Sequence, residues 1–471
     1  MDASSPGSDD RLAAEALRDD ERLAAIREQL LSLMAEYQSK IDGIRPADPQ
    51  RAEAYRQRLE KFGGRRGGSL FYPYLGSGLG HGPYVELADG SVKLDLIGGI
   101  GVHGLGHGHP AMVSAALDAA TEDLLMQGNL QQNELAVCVS EQLLERVGDA
   151  DLKHVFLTTS GAMANENALK LAFHHRPGTT RVLAMEHNFC GRTLALSTVT
   201  DKPANRVGLP AALEVDYLPF YDADDPTGST EAALARLEDH LAAHPEAHAA
   251  LMIEMVQGEG GYYPGDKSYF RPLLERAREA GIAVIVDEVQ TFGRLTKPFA
   301  FDHFGVGDLV DIVTVGKITQ FCATLFTEAM TPEPGLISQT FTASTSALRG
   351  GSAVLQTLVE AGAFGPDGRN ETVGAAWRQR LADLAAARPG MISGPYGIGS
   401  MVALTPGDGS KATAKRLAAL LFEEGVISFI AGADPARLRF LLPTAVLEEA
   451  HLDEAAAALA RALDRLEKET S

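Results

Sequence analysis

Two stretches of this chain end in groups able to do chemistry. Residues 282–286, Ile-Ala-Val-Ile-Val, form an apolar, mostly β-branched run that stops at two acids, Asp287 and Glu288. Residues 312–315, Ile-Val-Thr-Val, form a second run that stops at Gly316-Lys317. Short apolar runs bounded by turn residues read as buried strands of a parallel sheet. Ligands of open α/β sheets sit outside the carboxyl ends of such strands. A lysine there can form a Schiff base with an aldehyde, and a buried carboxylate can keep a pyridinium nitrogen protonated. The pair is the two-point grip of pyridoxal phosphate chemistry. The same residues admit a plainer reading, in which Asp287 and Glu288 cap a loop and Lys317 is a solvated surface lysine.

The elements that must position them follow the same pattern. A strand over 155–158 leads through Ser160-Gly161-Ala162 into a helix over 164–174. The free N–H groups and dipole of a helix N-terminus suit a phosphate, and Ser160 can equally serve as a simple cap. A strand over 182–185 runs into Phe189 and Arg192, an aromatic ring able to stack and a guanidinium able to clamp a carboxylate. A strand over 251–256 ends at Gln257-Gly258-Glu259, and a helix over 270–280 leads into the first stretch. Residues 150–320 thus alternate strand and helix, which predicts a doubly wound, mostly parallel sheet.

Outside this block, a helical pattern begins at Asp10, is interrupted by Pro46 and Pro49, and resumes over 52–62 before Gly63-Gly64. It reads as a helix packed on its own chain or on a second copy, with a docking arm for another protein as the alternative. A hairpin is expected about Asp89-Gly90. Gly99, Gly101 and Gly104 satisfy G-x-G-x-x-G. Helices are expected over 110–125 and 133–147, and the first starts at Pro110, after the glycines rather than inside them, which disfavours dinucleotide binding. His103, His107 and His109 in this Gly-rich turn read as structural rather than as metal ligands. Residues 338–346 are too hydroxyl-rich to be expected in the core. Long helices follow over 347–363 and 371–387. From 391 onward, short strands alternate with helices over 412–424 and 448–468 as an α+β unit.

Composition excludes several classes. Asp and Glu outnumber Lys and Arg 63 to 42, for a net charge of -21, which argues against a nucleic-acid partner. Three scattered cysteines fit a reducing cytoplasm better than a disulfide framework. The first ten residues are polar and acidic, with no signal-peptide core. No run approaches the roughly 18 apolar residues of a membrane span.

Taken together, these motifs resemble the class III aminotransferases, fold type I pyridoxal phosphate enzymes that act on ornithine, acetylornithine, GABA and lysine. The resemblance covers residues 70–465. It is carried in order by Leu105-Gly-His-Gly-His-Pro110, by Ser160-Gly-Ala-Met-Ala-Asn-Glu-Asn-Ala-Leu-Lys170, by Phe189-Cys-Gly-Arg-Thr193, by Gln257-Gly-Glu-Gly-Gly261, by Asp287-Glu-Val-Gln290, by Gly316-Lys-Ile-Thr-Gln-Phe-Cys322 and by Arg439-Phe-Leu-Leu-Pro443. It implies a small domain built from 66–115 and 386–471 and a large cofactor-binding domain over 116–385, while the helical extension over 1–65 is atypical of the family. Lys317 would attach the cofactor and then carry the proton. Asp287 would pair with the ring nitrogen, Gln290 with the phenolic oxygen, and Phe189 and Val289 with the two ring faces. Gly161 and Ala162, with Ser160 beside them, would bind the phosphate, and Thr340 would bind that of a neighbouring subunit in a homodimer. Arg439 would hold the α-carboxylate of 2-oxoglutarate and Arg192 the distal one. Glu259 would cover Arg439 while an ω-amine enters and then swing away, the alternative being a static ion pair.

Two loops depart from the family pattern. Gln290-Thr-Phe-Gly-Arg294 is one glycine short, and Thr340-Phe-Thr-Ala-Ser-Thr345 lacks the family's glycines and proline. Epimerase, aminomutase and decarboxylating relatives share the scaffold, and a non-catalytic binding protein is the alternative of another class.

Overall fold

The structure, a computed structural model, describes residues 11–123, 128 and 130–470. The polar residues 1–10 and the end of the helix expected over 110–125 lie outside them.

A seven-stranded sheet forms the centre, in the order Leu152–Thr158, Cys322–Thr327, Ile312–Val315, Ala283–Asp287, His248–Ile253, Arg181–Met185, Glu214–Leu218. Neighbours run parallel except Cys322–Thr327, which is antiparallel to both strands beside it. Both faces are covered. Ala283 and Ile285 enter one core with Ala168 and Ala172 of the helix Gly161–His175. Val284 and Val286 enter the other with Phe270 and Leu274 of the helix Lys267–Glu279. The strict alternation of strand side chains thus feeds two cores from one continuous apolar run. Asp287 pairs in register with Thr314 of the adjacent strand, so Asp287 and Lys317 leave the sheet at the same edge.

A second, antiparallel sheet has the order Ile392–Ile398, Met401–Pro406, Arg437–Leu441, Phe429–Ala431. The helix Arg369–Ala387 backs it, with Trp377 fully buried edge-on against Phe440. A third sheet joins the hairpin Tyr84–Leu87 and Val92–Asp95 to Gly76–His81 on one side. On the other side, Val426–Ile427 pairs in parallel with Val92–Asp95, tying the chain's two ends together.

Two expectations change. The helix Pro49–Arg66 runs straight through Gly63-Gly64 and stops at Gly67, whose φ of 79° is the left-handed cap. Glycine inside a helix costs about 1 kcal/mol, and a glycine able to close the helix lies only a few residues further on. The hydroxyl-rich 338–346 segment is partly core: Thr342 and Thr345 are buried, and Thr345 donates to the Asp123 carbonyl. A satisfied hydroxyl tolerates burial.

No helix among the described residues is long and apolar enough to cross a membrane.

Candidate active site

The carboxyl edge of the central sheet opens onto a cavity of about 420 Å³. Gly161, Ala162, Phe189, Arg192, Asp287, Val289, Gln290 and Lys317 all line it, joined by Val102, Asn165, Cys190, Gly191, Glu254 and Cys322. Ser160 stands at the start of the helix Gly161–His175, where its hydroxyl accepts from the Met163 N–H at 3.2 Å. The first N–H groups of the helix are left for a ligand. Gly161 is required by close approach: a Cβ there would meet Val289 Cγ1 at 2.8 Å.

Lys317 follows the strand Ile312–Val315 after Gly316, in a backbone conformation with φ of 54° that is unusual for a residue with a side chain and marks stored strain. Its amine faces the cavity without a hydrogen bond from the described residues. Burial pulls its pKa below the usual lysine value, against the pull of Asp287 and Glu259. Lys317 is half-buried, and a lowered pKa is the direction that activates an amine nucleophile.

Asp287 is held from two sides. Asn165 Nδ2 donates to Oδ2 at 2.7 Å, and the Val289 N–H donates to Oδ1 at 2.9 Å. Burial raises its pKa despite these donors and Lys317. A cationic ring nitrogen in the cavity would reverse that by favouring the carboxylate.

Glu288 faces the other way. It accepts from the Ala300 and Phe301 N–H groups at 2.7 and 3.0 Å and from the Thr291 hydroxyl. This ties down the loop that lacks a glycine, and buried Phe292 and Arg294 complete it, with Arg294 donating to the Gly101 carbonyl at 2.6 Å.

Arg439, on the strand Arg437–Leu441, is fully buried. Nη2 pairs with Glu259 Oε1, and Nη1 donates to Gln290 Oε1 at 3.0 Å and to the Gly258 carbonyl at 3.2 Å. Burial opposes the charge on Glu259, yet Arg439 and then Lys202 hold its pKa below the usual glutamate value. Arg192 is exposed, lies 5.8 Å from the Phe189 ring centroid and makes no hydrogen bond or ion pair with the described residues. One arginine of the site is therefore covered by a carboxylate and the other is open.

The structure does not bring Thr340 here. It is exposed and outside the cavity, next to Phe341, which walls a separate cleft with Thr158 and Gln320. The histidines of the Gly-rich turn have structural partners: His107 meets Asp95 at 2.9 Å, and His109 caps the helix Pro110–Ala120.

Three residues escaped the sequence reading. Glu254 follows the strand His248–Ile253, which stops three residues before the expected end at 256 and so leaves Glu254 at its carboxyl end rather than inside it. Its carboxyl accepts from the Phe189 and Gly258 N–H groups at 2.9 and 3.1 Å, and burial, then Asp287, push its pKa up to about 8. Asn165, a polar residue on an otherwise apolar helix face, was a weak signal. Lys202 sits in an irregular loop and had none.

The profile of the family Aminotransferase class-III matches residues 77–463. The chain belongs to this family. It is 32% identical over 407 residues to an acetylornithine aminotransferase of Gloeobacter violaceus, covering 82% of this chain and 92% of that protein. The solved lysine aminotransferase from M. tuberculosis superposes with a TM-score of 0.78 at 25% identity, covering 87% of this chain and 99% of that one. The ornithine aminotransferase from Toxoplasma gondii shares the fold with a TM-score of 0.74 at 24% identity, covering 88% and 99%. The chain is thus a class III aminotransferase with the fold type I architecture. The family implies pyridoxal phosphate, and the cavity fits it: an unbonded, half-buried lysine amine, a buried carboxyl at a strand end and a helix N-terminus with a close-approach glycine line the same cavity.

Proposed function

We propose that the chain moves an amino group from an ω-amine donor, of the ornithine, acetylornithine, lysine or GABA type, to 2-oxoglutarate. The observation that carries this reading is the Glu259–Arg439 pair together with an open Arg192 on the cavity wall. A site that must admit both a terminal amine and a dicarboxylate needs one carboxylate clamp that can be covered. An uncovered buried guanidinium is costly, and a movable partner removes that cost in one half of the cycle.

Pyridoxal phosphate, when bound, supplies the aldehyde and the electron sink of the reaction. Lys317 would hold its aldehyde carbon, Asp287 its ring nitrogen, Gln290 its phenolic oxygen, and Gly161, Ala162 and Ser160 its phosphate. Phe189 and Val289 would flank the ring. The Lys317 amine, facing the cavity, would take the proton from the substrate carbon. Asp287, oriented by Asn165, keeps the ring-nitrogen proton in place. Arg439 receives the α-carboxylate of the acceptor when Glu259 leaves, and Arg192 the distal one.

Thr340, exposed on one chain, would complete the phosphate site of a second copy, which makes the active form a homodimer. The free cysteines Cys138, Cys190 and Cys322 suit a reducing cytoplasm.

A panel of amine donors incubated with 2-oxoglutarate tests the proposal. Glutamate formed from an ω-amine supports it. Glutamate from no donor would sink it in favour of another reaction on the same scaffold.

A further inference from the structure

Glu259 touches two cations. One carboxylate oxygen pairs with Arg439, while the other lies 3.6 Å from Lys202 Nζ. Lys202 Nζ also donates to the backbone carbonyl of Glu259 at 3.1 Å, which fixes the ammonium beside the residue wherever its side chain turns. Lys202 does not line the cavity, and its side chain is 27% exposed. Its ammonium lies 5.8 Å from the Phe189 ring centroid.

Charge counting shows what the second cation does. With Glu259 on Arg439, the cluster of Arg439, Glu259 and Lys202 carries one net positive charge. A substrate carboxylate arriving at Arg439 brings it to neutrality, provided that Glu259 stays beside Lys202. Without Lys202, the same arrival would leave a half-buried carboxylate with no counter-charge, which is unfavourable. Glu259 would then stay on Arg439 and compete with the substrate.

We propose that Lys202 is the second berth of Glu259: the carboxylate passes from Arg439 to Lys202 when a dicarboxylate binds. Lys202 is thus a positioning residue that acts through Glu259. The inference rests on the transamination reading for its role in the cycle, but the berth itself is a binding property. Burial works against the charge on Lys202, and Glu259 supports it.

The test is calorimetric titration of glutarate, an unreactive dicarboxylate, into the pyridoxal phosphate-loaded protein. Lys202→Met is expected to weaken glutarate binding about tenfold. Lys202→Arg is expected to restore it, with the melting temperature of both variants matching the parent. In a Glu259→Gln background, Lys202→Met is expected to have no further effect, because the carboxylate it serves is gone.

A loss that persists in the Glu259→Gln background would mean that Lys202 meets the ligand directly, and would overturn the proposal. So would an unchanged affinity in Lys202→Met, or an equal loss in Lys202→Arg. The expected pattern in a protein that forms no glutamate would support the berth while defeating the transamination reading.

Discussion

Asn165 donates to Asp287 at 2.7 Å from a position 122 residues earlier in the chain. The amide is immobilised: the same nitrogen donates to the Cys190 carbonyl at 2.7 Å, and its oxygen accepts from Thr314 at 2.7 Å. Two distant groups thus hold one amide, and the amide aims one carboxylate. Asn165→Ala is expected to leave Asp287 in place but unaimed. Cofactor affinity should fall about tenfold, the scale of one hydrogen bond to a charged group. Titration of the cofactor-free protein with pyridoxal phosphate checks this, and an unchanged affinity would show that Asp287 needs no second partner.

Lys317→Ala should abolish the visible absorbance of the lysine-linked cofactor and all transamination, while the fold persists, since the amine makes no hydrogen bond to the described residues. Absorbance and circular dichroism on the same sample separate the two. A coloured Lys317→Ala protein would mean that another lysine is the attachment point.

Glu259→Ala leaves Arg439 buried without a carboxylate partner. The ω-amine half-reaction should then slow at least about tenfold, while the glutamate half-reaction, which supplies its own carboxylate, is less affected. Single-turnover rates for the two halves decide it, and equal losses would make the pair a static brace.

Glu254 gives the cofactor-free protein a pH dependence of known sign. Burial, then Asp287, raise its folded pKa to about 8, against about 4.3 unfolded. The folded state then binds the extra proton, so stability falls as pH rises between these values and levels off above the upper one. Urea unfolding should show the parent losing more stability than Glu254→Gln between pH 5 and pH 8, by at least about 1.4 kcal/mol. Parallel profiles would place the Glu254 pKa in the ordinary range.

Thr340→Val should lower cofactor retention only where two chains associate. Gel filtration run alongside cofactor titration checks this. A dimer that binds cofactor equally well with valine would remove Thr340 from the phosphate site.

The chemistry at the sheet edge was legible in one dimension because it is local. A buried strand declares itself by an unbroken apolar run, and a polar residue that ends the run sits at the sheet edge. Asp287 and Lys317 are both of this kind, whereas Glu254 falls inside the run expected over 251–256. The helix N-terminus at Ser160 was equally plain, since a cap and its glycine are neighbours in sequence.

What the tertiary structure alone decided lies between distant segments. The strand Cys322–Thr327 is antiparallel in a parallel sheet, and nothing in its own residues sets that direction. The Glu259–Arg439 contact joins residues 180 apart, and only the family resemblance, not any pattern in the sequence itself, implied that they meet. Lys202 showed no pattern at all, because an ammonium in an irregular loop is anonymous until folding sets it against a carboxylate. Strand patterning depends on a residue's neighbours in the chain, whereas the worth of a charge depends on what burial places within a few ångströms of it.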